Sequence, residues 1–126
     1  MEEVKRIPWS SDLDRKMSRY FDNLPLLRAE VLSGKAEAYS IANELTIILR
    51  PELGADGRTH EVVWLASFGR NLNRHIPTVL NRLKAKGFHS IRYHCDLETE
   101  KRVMRLVERH GGQQVEAVFR VQLESE

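Results

Sequence analysis

Residues 62–95 read VVWLASFGRNLNRHIPTVLNRLKAKGFHSIRYHC, and the fold follows from how this stretch is read. Residues 62–68 (VVWLASF) are a nearly continuous apolar run, as in a strand buried on both faces at the centre of a sheet. After Gly69 the period changes. Ile76, Val79, Leu80 and Leu83 share one helical face, Pro77 suits a first turn, and Gly87 stands just past the end. Residues 88–95 (FHSIRYHC) return to an extended pattern with Ile91 and Tyr93 on one face. Strand, helix, strand predicts a βαβ unit.

Upstream, residues 45–49 (LTIIL) and the stretch from Ala36 and Ala38 through residues 39–42 read as two further strands, with Asn43 and Glu44 as their tight connection. Residues 51–58 (PELGADGR) have the Pro, Gly and Asp content of an exposed turn, so these strands and residues 62–68 form an antiparallel meander. Before them, Val4, Arg6 and residues 7–9 make a short first strand, followed by Ser10 and Ser11 as helix N-caps, with Ser11 and Asp14 spaced like a capping box. Leu13, Met17, Tyr20, Phe21 and Leu24 recur at helical steps. Pro25 ends that helix or starts another, which runs to Leu32 with Leu27 and Val31 inward and Gly34 as its stop.

Downstream, Val103, Leu106, Val107 and His110 mark a last helix, with Asp96 or Thr99 as its cap and Gly111 and Gly112 at its end. Val115, Ala117, Phe119, Val121 and Leu123 then alternate with polar residues as a half-buried closing strand. The predicted order is β-α-α-β-β-β-α-β-α-β, an α/β (α+β) mixed sheet.

With 126 residues and 41% hydrophobic content, the chain suits a single domain over residues 1–126. Its 20 Lys and Arg against 18 Asp and Glu leave +2, too little to imply a polyanion. Arg70, Arg74, Arg82, Lys84, Lys86 and Arg92 read as a solvated face rather than a nucleic-acid surface, since no aromatic residues interleave with them and acidic residues 96, 98 and 100 follow. The one cysteine, Cys95, forms no intramolecular disulfide and is expected to pack as a small apolar residue. The acidic start MEEVKRIPWSSD is unlike a signal peptide, and no apolar run is long enough to cross a bilayer, so a cytoplasmic protein without membrane contact is expected. His60, His75, His89, His94 and His110 lack metal-ligand spacing; no metal is expected, and most of these rings should be solvated. Trp9 and Trp64 read as packing residues.

The element order resembles the GNAT N-acetyltransferase fold. Three phrases carry the likeness: IPWSSDLDRKM for the opening strand and helix, HIPTVLNRLKAKGFHSIRYHC for the third helix and fifth strand, and MRLVERHGGQQVEAVFRVQL for the fourth helix and final strand. Short length and these phrases also look like the small GNAT-like proteins of phages and prophages. The resemblance implies acetyl-CoA as the ligand, with its pyrophosphate on the loop formed by Phe68, Gly69, Arg70, Asn71, Leu72, Asn73 and Arg74. Arg70 and Arg74 would pair with phosphate oxygens.

The loop departs from the family pattern, because Asn73 and His75 stand where small residues belong and would crowd the phosphates. As a purely local reading, Asn73 is instead the N-cap of the helix. Val107 occupies the place of the family's tyrosine acid and Glu100 that of its frequent asparagine. Tyr93, His94, Cys95 and Glu61 are the other candidates, and they form no evident catalytic set, so no catalytic residue is assigned. Two functions follow: an acyl-CoA-binding N-acyltransferase, or a catalytically silent accessory or structural protein acting through protein contacts. An enzyme would need an open cleft lined by residues 62–68 and 91–95. Homodimerisation through the last strand or the meander, or a protein partner, is the expected association.

Overall fold

The computed structural model of the protein describes residues 3–19, 21, 24–53, 56–93 and 101–112. The chain divides into two compact units, Met1–His94 and Cys95–Glu126. The first carries β1 (Val4–Ile7), α1 (Ser11–Met17), α2 (Leu24–Leu32), β2 (Glu37–Ile41), β3 (Leu45–Leu53), β4 (His60–Gly69), α3 (Leu72–Ala85) and β5 (Ser90–Tyr93); the second carries α4 (Lys101–Arg109). The element order matches the reading of the sequence up to α4. The expected closing strand, residues 115–123, lies outside the described residues.

The five strands form one sheet in the order β1-β2-β3-β4-β5. Pairing is antiparallel from β1 to β4 and parallel between β4 and β5, so the meander and the βαβ unit share β4. Because side chains alternate across a strand, Ile7, Ala38, Ile48, Ala66 and Phe68 turn to one face, against Leu13 and Met17 of α1 and Leu24 and Leu27 of α2. Met17 is fully enclosed there. Fully burying a Leu, Ile or Met side chain there is worth roughly 1.5–3 kcal/mol. Ile47, Leu49 and Val62 turn the other way and, with Val79 and Leu83 of α3, line a groove of about 640 Å³.

Local chemistry sets the boundaries. Ser10 rather than Ser11 caps α1, its hydroxyl accepting the Leu13 N–H at 3.1 Å. Asp14 serves no capping box; its carboxylate takes the Arg28 guanidinium at 2.6 and 2.9 Å and ties α1 to α2. The helical spacing running on to Leu24 overstates α1, which stops at Met17 because the Ser18 hydroxyl bonds back to the Arg15 carbonyl and competes with the helix ladder. Pro25 sits in the first turn of α2, where its missing N–H costs nothing.

The expected turn at residues 51–58 begins later, since β3 runs on to Leu53 and pairs Pro51 with Val62 and Leu53 with His60. Pairing with β2 ends at Glu37↔Leu49, so Pro51 lies where β3 has become an edge, a place a sheet tolerates proline. Gly87 and Phe88 close α3 with N–H bonds to Lys84 and Leu83, and Gly111 and Gly112 close α4 in the same pattern with Glu108 and Val107. Gly87 (φ 92°) and Gly111 (φ 93°) both hold the left-handed position that this ending requires.

Candidate functional site

The loop between β4 and α3 is built against the turn between β2 and β3. That turn places Ala42 and Asn43 at φ 51° and 55°, and the Glu44 N–H closes it on the Ile41 carbonyl at 3.1 Å. Cross-strand register then sets Leu45 opposite Gly69. At Gly69 φ is 127°, and a Cβ would lie 2.2 Å from the Glu44 carbonyl oxygen and 2.9 Å from Leu45 Cα. No side chain fits such an approach, so the strand can leave the sheet this way only through glycine.

Three hydrogen bonds converge on Glu44 from the loop. The Arg70 N–H donates to its carbonyl at 2.9 Å, and Asn71 Nδ2 donates to Oε1 at 3.1 Å. His75 Nε2 lies 2.5 Å from the same oxygen, with His75 1% and Glu44 20% exposed. The His75 bond, and after it that of Asn71, holds the Glu44 carboxyl below the usual glutamate range. An ionised carboxylate only accepts, so Nε2 of His75 carries the proton in this bond.

Asn71 is the N-cap of α3, in the left-handed conformation at φ 63° and ψ 37°, which asparagine tolerates. Asn73, expected as the cap, lies inside the helix, because the first helical bond runs from the His75 N–H to the Asn71 carbonyl at 3.1 Å. Asn71 makes no side-chain cap, its amide being directed to Glu44. Pro77, expected in the first turn, falls in the second because α3 begins at Leu72.

Arg70, Asn71, Asn73 and Arg74 are exposed, Phe68 and Leu72 are half-buried, and no acidic residue lies in the first turn. A helix N-terminus carries roughly half a positive charge from its aligned peptides, to which Arg70 and Arg74 add and which the Glu44 carboxylate beside them offsets in part. His75 does not crowd it, contrary to the sequence expectation: its ring points inward onto Glu44 and is buried rather than solvated. Helical spacing carried that signal, since His75 stands three residues after Leu72 and four before Val79. Its partner, Glu44 on the β2–β3 turn, had no local signal. Phe68, Gly69 and Glu44 also border a cleft of about 470 Å³ with Ser40, Thr46 and Leu13.

Between Ile48↔Ala66 and Leu49↔Trp64 the β3 and β4 register shifts by one residue, leaving Leu65 as a bulge that sequence reading missed. β4 and β5 pair from Glu61↔Ser90 to Trp64↔Tyr93, up to that bulge. Over these residues the two strands stay paired, so the open cleft that an enzyme would need could begin only beyond the bulge. His94, Cys95 and Glu100 lie outside the described residues.

Glu61 is held by Arg92 at 2.8 Å and accepts the Ser90 hydroxyl at 2.9 Å; Arg92 reaches Glu52 at 2.9 Å as well, and Arg50 joins Glu52 to Glu30. That ion network ties Glu61 to its neighbours instead of presenting it as a base. Val107 brings only hydrocarbon where the resemblance calls for an acid, and its carbonyl ends α4. His60 and His89 pair with each other through the His60 N–H and His89 Nδ1 at 3.0 Å. Among the described residues no group of His, Cys, Asp and Glu gathers that could hold a metal ion, and no helix is long and apolar enough to cross a membrane.

No protein-family model matches the chain, and no curated protein matches it in sequence. Solved structures do match in fold. A ribosomal-protein-alanine N-acetyltransferase from Brucella melitensis biovar Abortus 2308 superposes with TM-score 0.66 at 6% identity, covering 98% of this chain and 100% of the other. A predicted acetyltransferase with acetyl-CoA from Clostridium acetobutylicum gives 0.63 at 11% identity over 97% and 96%. An aminoglycoside acetyltransferase from an uncultured soil metagenomic sample, in complex with trehalose, gives 0.62 at 9% identity over 99% and 97%. The chain has the GNAT acetyltransferase fold, a mixed α+β sheet, and at these identities the likeness is one of fold.

Proposed function

We propose that this chain is a divergent acyl-CoA-binding protein of the N-acyltransferase kind, of the small phage or prophage type. The pyrophosphate of the thioester would lie on Phe68, Gly69, Arg70, Asn71, Leu72, Asn73 and Arg74. One observation carries the reading: a glycine that alone fits the end of β4 delivers the chain into a helix whose N-cap side chain is turned away, with exposed arginines on either side. This is how a protein presents backbone N–H groups and positive charge to a phosphate. Transfer would form a C–N bond at an acceptor amine and break the thioester C–S bond, the amine's proton passing by way of solvent to the leaving thiolate. With Val107 in the acid's place, a slow transfer is expected.

Calorimetric titration with acetyl-CoA and CoA tests the reading. Micromolar binding that weakens in Arg70→Ala and in Arg74→Ala supports it, and heat-free titration at millimolar ligand refutes it. A thermal melt gives the same answer independently, since ligand at 100 times its Kd adds about 2.7 kcal/mol.

A second reading, a catalytically silent protein working through protein contacts, is favoured by the Arg92 bond that engages Glu61 and by the exposure of Leu26 and Leu32 on α2. Acetyl transfer to an amine, abolished in Arg70→Ala, would sink it.

A further inference from the structure

We infer that Glu44 is a positioning residue for the phosphate loop: a carboxylate on the β2–β3 turn that shapes the start of α3 for an anion, although its own charge opposes one. The inference rests on the acyl-CoA reading and goes beyond it, because it assigns the affinity of the site to an element outside the loop.

The geometry supplies the argument. Glu44 accepts the Arg70 N–H on its carbonyl and both Asn71 Nδ2 and His75 Nε2 on Oε1. These bonds reach both sides of the N-cap, and Gly69 lies against the backbone of the same residue. Asn71 keeps its left-handed conformation, with its amide away from the helix end, while Glu44 is there to receive that amide. Without the carboxylate, the amide would be available to cap its own helix, covering the N–H groups a phosphate would use. The His75 ring, 1% exposed, would at the same time lose its acceptor.

Two effects of removing the carboxylate have opposite signs, so the experiment decides between them. Electrostatics alone makes Glu44→Ala bind a polyanion more tightly, since a negative charge beside the site is gone. Loss of positioning makes it bind more weakly. The probes are CoA and inorganic pyrophosphate, titrated against the full chain and against Glu44→Ala and Glu44→Gln, each checked for an intact thermal transition.

We expect at least a tenfold loss of affinity for both probes in Glu44→Ala. Glu44→Gln, which keeps an acceptor oxygen without the charge, should stay within about threefold of the parent, a rescue that a charge effect does not produce. Affinity in Glu44→Ala equal to or tighter than the parent overturns the inference. A parent protein that binds neither probe overturns the acyl-CoA reading instead. Hydrogen exchange at the Asn71 side-chain amide, whose acceptor is the Glu44 carboxylate, then judges the clamp alone: faster exchange in Glu44→Ala upholds it, and unchanged exchange defeats it.

Discussion

Glu44 and His75 stand 31 positions apart in the chain and share a 2.5 Å hydrogen bond at the seam where a hairpin turn meets the start of α3. The imidazole is buried, and its bond to an ionised carboxylate is what makes that burial tolerable. Replacing His75 by Ala takes one of two side-chain donors from the Glu44 carboxylate, leaving it Asn71 Nδ2, and opens a void where the buried ring stood. Such losses cost about 1–3 kcal/mol, and urea unfolding should register the decrease.

Acidification should weaken the same contact. The folded-state pKa of Glu44 is below its ordinary 4.5. The stability it contributes is therefore present above the unfolded value and disappears as pH falls through the folded one. Melting temperature measured downward from pH 5 should fall less steeply in Glu44→Gln than in the parent; parallel curves would contradict the pairing.

Gly69→Ala should be the most damaging small change in the loop. The new Cβ would meet the Glu44 carbonyl oxygen at 2.2 Å, and φ of 127° is strained for any L side chain. Both neighbours are backbone, so the hairpin or the strand must move. We expect a loss of roughly 1–3 kcal/mol by chemical denaturation, together with weaker CoA binding. A variant as stable as the parent would show that the two elements are not held so closely.

Tyr39 provides an alkaline counterpart. Burial, and then its hydrogen bond to the Glu37 carboxylate, push its hydroxyl up to about 12 from 10.0, and the Lys86 ammonium lies 5.6 Å from the ring centre. Here the folded pKa is above the unfolded one, so its contribution is complete below pH 10 and is lost as pH rises towards 12. Tyr39→Phe should flatten the fall of melting temperature over that window, and spectrophotometric titration should find a tyrosine that ionises late.

Met17→Ala tests the core beneath α1. The side chain is fully enclosed between α1 and the sheet, and truncations of this kind cost about 2–5 kcal/mol. A loss under about 1 kcal/mol would mean that the site collapses around the void.

Much of the fold was legible because it rests on local periodicity. The apolar run at residues 62–68 lies within β4, the spacing of Ile76, Val79 and Leu83 makes the buried face of α3, and Gly87 ends that helix where expected. Each is decided by which side chains a helix or strand turns to one side, and that is written in consecutive residues. The likeness of the element order to the GNAT fold followed from it.

Tertiary structure alone decided the rest. Nothing near Gly69 in the chain says that its missing Cβ makes room for Glu44; the cross-strand register of β3 and β4 does. The bulge at Leu65 was invisible for the same reason, since a bulge exists only relative to a partner strand. Asn73 reads locally as a good cap and loses that place to Asn71, whose left-handed backbone is supported from the hairpin by Glu44. Sequence by itself thus determined the elements and their order, while the site's shape was left to contacts between residues far apart in the chain, whose energies belong to the assembled sheet.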